Sequence, residues 1–182
     1  EKNFTLQSFY IITIIARKVF LPFLILYLLF FPSISKYWFI NKIYLNYNFT
    51  FKNIVFIFAS TIINNVIIVN LVLKNFWGRA RPNDILELDG NGVFSPWYMY
   101  SNACTSNCSF VSGDSSVGFS IIIFYFITKN SNFLWLALFS GFFLGTIRIL
   151  EGGHFLSDIL MSCFLIFILT GLQYNFYNNK FR

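Results

Sequence analysis

The sequence predicts an all-α fold, an integral membrane bundle of apolar helices. Of its 182 residues, 57% are hydrophobic, 22% are aromatic and only 11% are charged, which excludes an ordinary soluble domain. Several apolar runs approach the length of about 20 residues that a helix needs to cross about 30 Å of hydrocarbon. Because no repeat, low-complexity tract or flexible linker divides the chain, a single domain over residues 1–182 is the simplest organisation.

Five apolar runs are predicted to span the membrane, at about residues 17–35, 53–73, 110–128, 132–150 and 154–175. The first contains Pro22 and has Arg17 and Lys18 at its front, which leaves an interfacial helix over residues 4–16 as the alternative. The chain begins with Glu1, and residues 1–16 do not resemble a signal peptide. We therefore expect a further segment upstream, such as another membrane helix.

Three charged clusters interrupt the hydrophobic pattern. They are KNFWGRARP at 74–82, SFVSGDSS at 109–116 and RILEGGHFLSD at 148–158. The first two bound the only long polar connection, from Lys74 to Ser109, in which glycines, prolines and charges interrupt the hydrophobic pattern. Ionisable groups near a bilayer are costly, so those that remain usually face one another or a water-filled cavity and mark a site.

Alternate crossing of consecutive helices would place all three clusters on one membrane face. Taken singly, each has an ordinary reading, as basic residues flanking a membrane helix, a helix cap or a Gly-Gly turn. Together they collect a lysine, several arginines, the backbone N–H groups of a helix start at Ser112 and Gly113, and the only histidine. Phosphate is the ligand that this set fits best, because guanidinium groups match its oxygens and helix starts bind anions.

The motif spacing resembles the three-part signature of the type 2 phosphatidic acid phosphatase superfamily. The matching residues are Lys74, then Arg81-Pro82 after six intervening residues, then Ser112-Gly113, then Arg148, His154 and Asp158. The resemblance covers about residues 53–170 and implies six membrane helices, the first of them before Glu1. Within the superfamily, FWGRARP, NCSFVSGDSSVGF and EGGHFLSD are similar to the motifs of bacterial lipid A 4′-phosphatases.

The resemblance implies a metal-independent phosphoric monoester hydrolase. His154 would attack phosphorus and form a phosphohistidine, while Lys74, Arg81, Arg148 and the amides near Ser112 and Gly113 hold the phosphoryl oxygens. On a helix His154 and Asp158 would share a face, so the carboxylate would orient the imidazole. A structural hydrogen-bonded pair is the alternative, and either ring nitrogen remains open as the attacking atom. No metal or cofactor is expected, since the acids are scattered and the histidine has no companion at ligand spacing.

Asp114 departs from the family pattern, because the usual second motif is Ser-Gly-His. The histidine would protonate the leaving group, so Asp114 is the candidate for that role. The alternatives are that Asp114 orients an arginine while Glu151 is the acid, or that a sequencing error or an inactive homologue explains the change. Arg79 has no role in the motif, and either an ion pair with Asp84 or Glu87 or a second phosphate would account for it.

The distribution of Lys and Arg predicts the orientation in the membrane. The face opposite the clusters carries Lys36, Lys42, Lys52, Lys129, Lys180 and Arg182. Without its three motif cations, the cluster face carries Lys2, Arg17, Lys18 and Arg79. Positive residues favour the cytoplasm, so a multi-pass protein of a bacterial inner membrane with its active face in the periplasm is expected. A disulfide between Cys104 and Cys108 would fit that oxidising compartment, with free thiols as the alternative.

The expected substrate is a phosphorylated membrane lipid. Trp97, Tyr98 and Tyr100 lie in the polar connection, and such residues settle at the depth of lipid headgroups. A lipid A sugar phosphate is favoured, followed by a prenyl diphosphate or phosphatidylglycerol phosphate, and no nucleic acid partner is expected. A non-catalytic lipid-binding or transport bundle would need the cations without His154 and Asp158. A vanadate-binding oxidase would share the motifs, but the hydrophobic spans argue against such a soluble enzyme.

Overall fold

A computed structural model of the chain describes residues 50–180. Over this range the protein consists of helices and loops, with one isolated bridge between Ile85 and Gly92. The described residues from Ser60 onward form one compact unit. The predicted span at 17–35 and the alternative interfacial helix at 4–16 both lie outside the described residues.

Within residues 50–180, three helices are long and apolar enough to cross a membrane. They are α1 (Phe51–Phe76), α4 (Ser131–Leu150) and α5 (Leu156–Lys180), which correspond to the spans predicted at 53–73, 132–150 and 154–175. Large apolar side chains such as Trp135, Phe164 and Phe176 are exposed on α4 and α5, as expected for surfaces that face lipid. The prediction of a helical protein with membrane-spanning helices is therefore confirmed for the described residues.

The span predicted at 110–128 differs from a single crossing helix. The structure has two helices of seven residues each, α2 (Gly113–Phe119) and α3 (Ile122–Thr128). Hydroxyl groups bond back along α2, from Ser116 Oγ to Ser112 O and from Ser120 Oγ to Ser116 O, a pattern that bends helices. The 16 residues from 113 to 128 would reach about 24 Å as a straight helix, less than the hydrocarbon thickness. The number of membrane crossings therefore stays a prediction.

Buried amide side chains tie α1 to the other helices. The middle of α1, Ile62–Leu73, is wound as a π-helix. Asn64 donates to Thr170 Oγ1 at 3.1 Å and accepts from Gln173 at 2.8 Å, while Asn65 donates to Ser120 Oγ at 2.8 Å. In an apolar surrounding, such interhelical hydrogen bonds hold neighbouring helices in one register.

Small residues allow α2 to approach α4 closely. Gly141 and Gly145 are buried on one face of α4, and a Cβ atom added to Gly118 of α2 would lie 2.7 Å from Gly141 Cα. A Cβ atom at Gly145 would lie 2.7 Å from both Ser115 Oγ and an Ile159 methyl group. These contacts need glycine for space, as in other membrane helix pairs with small residues four apart. They fix the position of the start of α2, which belongs to the site described below.

Gly118→Ala is expected to destabilise the protein by about 1–3 kcal/mol, because the new methyl group would overlap backbone that cannot move aside cheaply. Thermal unfolding in detergent measures the effect. Gly171→Ala is the matched control, since a Cβ atom on that α5 glycine meets nothing closer than 3.4 Å and alanine favours the helix. Equal unfolding temperatures for the two variants would contradict the close approach of α2 and α4.

Candidate active site

The three charged clusters meet at one end of the helices. The end of α1 contacts the start of α2, because a Cβ atom at Gly113 would lie 3.2 Å from Lys74 Nζ. The end of α4 also reaches α2, through an ion pair of 3.1 Å between Arg148 Nε and Asp114 Oδ2. The structure therefore brings together the groups that alternate helix crossing was expected to collect.

Asp158 occupies the first turn of α5 and is fully buried. Its Oδ2 accepts the Phe155 N–H at 2.9 Å. In this capping contact, the third residue of a helix binds the backbone N–H of the residue that precedes the helix. The same oxygen accepts the Ser109 hydroxyl at 2.6 Å, and Oδ1 accepts Arg79 Nη1 at 2.5 Å. A carboxylate held by three donors has one fixed orientation.

Arg79 is the ionic partner of Asp158, and its predicted pairing with Asp84 or Glu87 is wrong. The guanidinium is buried; besides binding Asp158, it donates to Ser157 Oγ at 2.8 Å and to Ser95 O at 2.9 Å. It also lies 4.2 Å from the centroid of the Phe155 ring, within cation–π distance. Since Arg79 and Asp158 are 79 residues apart, only the fold reveals this pair.

His154 lies in the turn between α4 and α5, before the first residue of the helix. His154 therefore lies outside the helix while Asp158 lies in its first turn, and the expectation that the two residues share a helix face is wrong. The imidazole is 1% exposed, and Nδ1 lies 3.8 Å from Asp158 Oδ2, beyond hydrogen-bond distance. Within the described part of the chain, neither ring nitrogen has a hydrogen-bond partner.

Burial holds the pKa of the His154 imidazole below its ordinary value of 6.5, because a buried cation loses its hydration. The positive charges of Lys74 and Arg148 lower this pKa further, while Asp158 opposes them. An imidazole is neutral above its pKa. At neutral pH His154 is consequently uncharged and can act as a nucleophile.

Arg148 stands between two carboxylates. Its Nε is paired with Asp114, and its Nη1 makes a short contact with Glu151 Oε2. A Cβ atom at Gly153 would lie 2.9 Å from Arg148 Nη2, so the backbone beside His154 runs directly past the guanidinium. Both carboxylates that the sequence offers as general acid thus contact the same arginine.

Ser112 and Gly113 have different surroundings at the start of α2. Ser112 caps the helix, with its side chain accepting the Ser115 N–H at 3.4 Å. Its own N–H faces the Asp158 carbonyl oxygen at 3.5 Å, and its carbonyl oxygen accepts the Ser162 hydroxyl at 3.0 Å. Gly113 instead lies beside the Lys74 ammonium. Ser112 therefore joins α2 to α5, and Gly113 is the residue whose backbone faces a motif cation.

Two residues that the sequence did not single out contact the motif side chains. Ser109 binds Asp158, as described above, and Asn107 binds two cations. Arg81 donates from Nε and Nη2 to Asn107 O, at 3.2 and 2.8 Å, and Lys74 Nζ lies 3.5 Å from Asn107 Oδ1. The available signal was their place in NCSF, directly before the second motif.

The polar connection folds back against the end of α1, where the Ser101 N–H donates to Trp77 O at 3.1 Å. Cys104 and Cys108 form a disulfide, with their Cα atoms 5.7 Å apart. Gly78 has a φ of +71°, and a side chain there would collide with Ser101 O, so only glycine permits this close approach. Trp97, Tyr98 and Tyr100 are exposed. Among residues 50–180, no group of three or more His, Cys, Asp and Glu side chains could hold a metal ion.

Comparison with known proteins identifies relatives of the chain. The family model described as the PAP2 superfamily matches residues 53–182. A lipid A 4′-phosphatase of Francisella tularensis subsp. novicida is 35% identical over 140 residues, which cover 75% of this chain and 62% of that protein. Lipid A 4′-phosphatases of Rhizobium leguminosarum and Rhizobium etli are 33% and 31% identical over 107 residues, which cover 57% of this chain and 46% and 42% of those proteins.

The chain thus spans less than two thirds of the length of these three relatives. No solved structure matches it significantly.

The imidazole of His154 is expected to gain its proton below pH 6.5, because burial and the two nearby cations disfavour the charged form. The measurement is a pH titration of the imidazole ¹⁵N chemical shifts, which are unambiguous because the chain has one histidine. The same protein unfolded in denaturant provides the reference and should titrate near the ordinary value of about 6.5. A folded-state midpoint at or above that reference would show the environment of His154 to be wrong.

Proposed function

The chain belongs to the PAP2 superfamily, and from this premise we propose that it is a membrane lipid phosphatase that cleaves phosphate monoesters through a phosphohistidine. The observation that carries the proposal is the environment of His154. The imidazole is buried, its pKa is lowered, and it faces a carboxylate with a fixed orientation beside Lys74 and Arg148. A neutral, oriented imidazole next to cations is what nucleophilic attack on a phosphate requires.

In the first step, His154 Nε2 forms a bond to phosphorus as the bond between phosphorus and the lipid oxygen breaks. Nδ1 faces Asp158 at 3.8 Å, which leaves Nε2 as the attacking nitrogen. The positive charge that develops on the ring is stabilised by Asp158, and Arg79 and Ser109 hold that carboxylate in place. In the second step, water attacks phosphorus, and the bond between phosphorus and Nε2 breaks to release phosphate.

Lys74, Arg81, Arg148 and the backbone near Ser112 and Gly113 form the proposed phosphate cradle. Lys74 lies beside Gly113, and Arg148 passes beside Gly153, next to the histidine. The cradle therefore takes its groups from three chain segments. Its cations would offset the charge that spreads over the phosphoryl oxygens in the transition state. Such fixed charges supply most of the catalysis in phosphoryl transfer.

The leaving lipid oxygen needs a proton, and Asp114 is the proposed donor. Asp114 and Glu151 both bind Arg148. A phosphate dianion bound to Arg148 would compete with these carboxylates and favour proton uptake by one of them. Asp114 stands at the motif position of the family's acid, whereas Glu151 is the alternative acid.

The proposed substrate is a lipid A sugar phosphate, because the three matched relatives are named lipid A 4′-phosphatases. The exposed Trp97, Tyr98 and Tyr100 suit a substrate at the membrane surface. We further propose that residues 1–182 form a single domain with five membrane helices in a bacterial inner membrane, with the site in the periplasm. The disulfide in the polar connection supports that side, since disulfides persist in oxidising compartments.

Purified protein is expected to release phosphate from lipid A, and His154→Ala should lower the rate by roughly a thousandfold or more, because the nucleophile is lost. The measurement is phosphate release with mass analysis of the products from lipid A, undecaprenyl diphosphate, phosphatidylglycerol phosphate and phosphatidic acid. Gly171→Ala serves as the active control. EDTA should leave the rate unchanged, while vanadate should inhibit.

Three results would contradict this function. One is substantial phosphate release by a folded His154→Ala variant. Another is lipid binding or transport without hydrolysis, unaffected by that substitution, which would favour the non-catalytic bundle. The third is loss of activity in EDTA that zinc or magnesium restores. Preference for undecaprenyl diphosphate or phosphatidylglycerol phosphate would retain the chemistry and change only the substrate.

Asp114→Asn is expected to lose roughly 100-fold or more activity on the lipid, the usual contribution of a general acid, and much less on nitrophenyl phosphate. Nitrophenolate hardly needs a proton to leave. Glu151→Gln should affect both substrates alike, because its contact with Arg148 serves phosphate binding in either case. The ratio of the two losses is the measurement. A selective loss on the lipid for Glu151→Gln, with equal losses for Asp114→Asn, would move the acid role to Glu151.

A further inference from the structure

Asn107 occupies a small ring of chain next to the proposed phosphate cradle. The disulfide between Cys104 and Cys108 closes this ring, and Asn107 lies within it with a φ of +49°. Asparagine is one of the few residues other than glycine that adopt this left-handed conformation readily. The ring therefore holds a defined backbone turn in an otherwise exposed part of the loop.

The turn points two oxygens of one residue at two motif cations. The carbonyl oxygen of Asn107 accepts two N–H groups of Arg81, and its side-chain oxygen lies 3.5 Å from Lys74 Nζ. The ring is also tied to the end of α1, because the Cys108 N–H donates to Lys74 O at 3.0 Å. Lys74 is thus held at both its backbone and its side chain by adjacent residues of the same ring.

We propose that Asn107 is a positioning residue that sets Lys74 and Arg81 side by side for phosphate, and that the Cys104–Cys108 disulfide holds Asn107 in place. This inference rests on the function proposed above. Two cations repel each other, and oxygens with partial negative charge between them offset that repulsion. Affinity for phosphate consequently depends on a bond that exists only under oxidising conditions.

Binding of inorganic phosphate to the purified full chain, measured by ³¹P NMR in detergent, tests the proposal without requiring turnover. Asn107→Gly keeps the left-handed turn and the carbonyl but removes the 3.5 Å contact with Lys74, so the Kd should rise about threefold, which corresponds to the low end of the net contribution of one hydrogen bond. Asn107→Val also opposes the left-handed turn and should raise the Kd by about tenfold. Asn102→Gly is the matched control, since Asn102 is exposed in the same loop outside the ring.

The disulfide is tested by a double variant and by reduction. Cys104→Ser with Cys108→Ser should raise the phosphate Kd by about tenfold. Dithiothreitol should have the same effect on the wild type, because its two thiols transfer two electrons and two protons to the S–S bond and leave two cysteine thiols and the cyclic oxidised reagent. Cys163→Ser removes the free thiol in α5 and should leave the Kd unchanged.

The kinetic pattern separates positioning from a general loss of structure. On nitrophenyl phosphate, the Asn107 and cysteine variants should raise KM more than they lower kcat, whereas partial unfolding would lower the active fraction and leave the KM of the remainder unchanged. An unchanged phosphate Kd in Asn107→Val and in a folded double serine variant would overturn the proposal. So would a wild-type protein that does not bind phosphate. If the Kd values change as expected but no substrate is hydrolysed, this inference stands and the proposed phosphatase function fails.

Discussion

The buried carboxylate of Asp158 is the constraint on which the site depends. It caps α5 through the Phe155 N–H, pairs with Arg79 from the end of α1, accepts Ser109 from the polar connection and faces His154. Removing one partner of a buried ion pair costs about 3–5 kcal/mol because the remaining charge is uncompensated. The same group therefore joins three segments of the fold and faces the imidazole, so stability and chemistry cannot be varied independently at this position.

Arg148 is the second charged group around which the site is organised, because it pairs with two carboxylates. Its guanidinium neutralises Asp114 and Glu151, and a phosphate would replace part of that negative charge. In the proposed complex the arginine therefore exchanges one set of anionic partners for another. Replacement of the family's histidine by Asp114 is compatible with this exchange, because only an anionic side chain competes with the substrate for the same cation.

Uncharged contacts between the membrane helices hold these groups in position. Gly118 and Gly141 let α2 approach α4, and Asn64 and Asn65 connect α1 to α5 and to Ser120. In a surrounding as apolar as the side chains themselves, close packing and hydrogen bonds between helices are the main specific attractions. The ends of α1 and α4 therefore meet the starts of α2 and α5 in one arrangement, and the polar connection packs beside them.

The sequence by itself determined the membrane class, the three long helices of the described residues and the motif residues. Hydropathy and fixed spacing are local properties of the chain. It also favoured the pairing of Cys104 with Cys108, which are close along the chain. Only the tertiary structure decided that Arg79 pairs with Asp158, that Asn107 contacts both Lys74 and Arg81, and that residues 113–128 form two short helices. These features arise from contacts between distant segments and from competition among neighbouring hydroxyl groups for backbone oxygens, and neither leaves a period or a motif in the sequence.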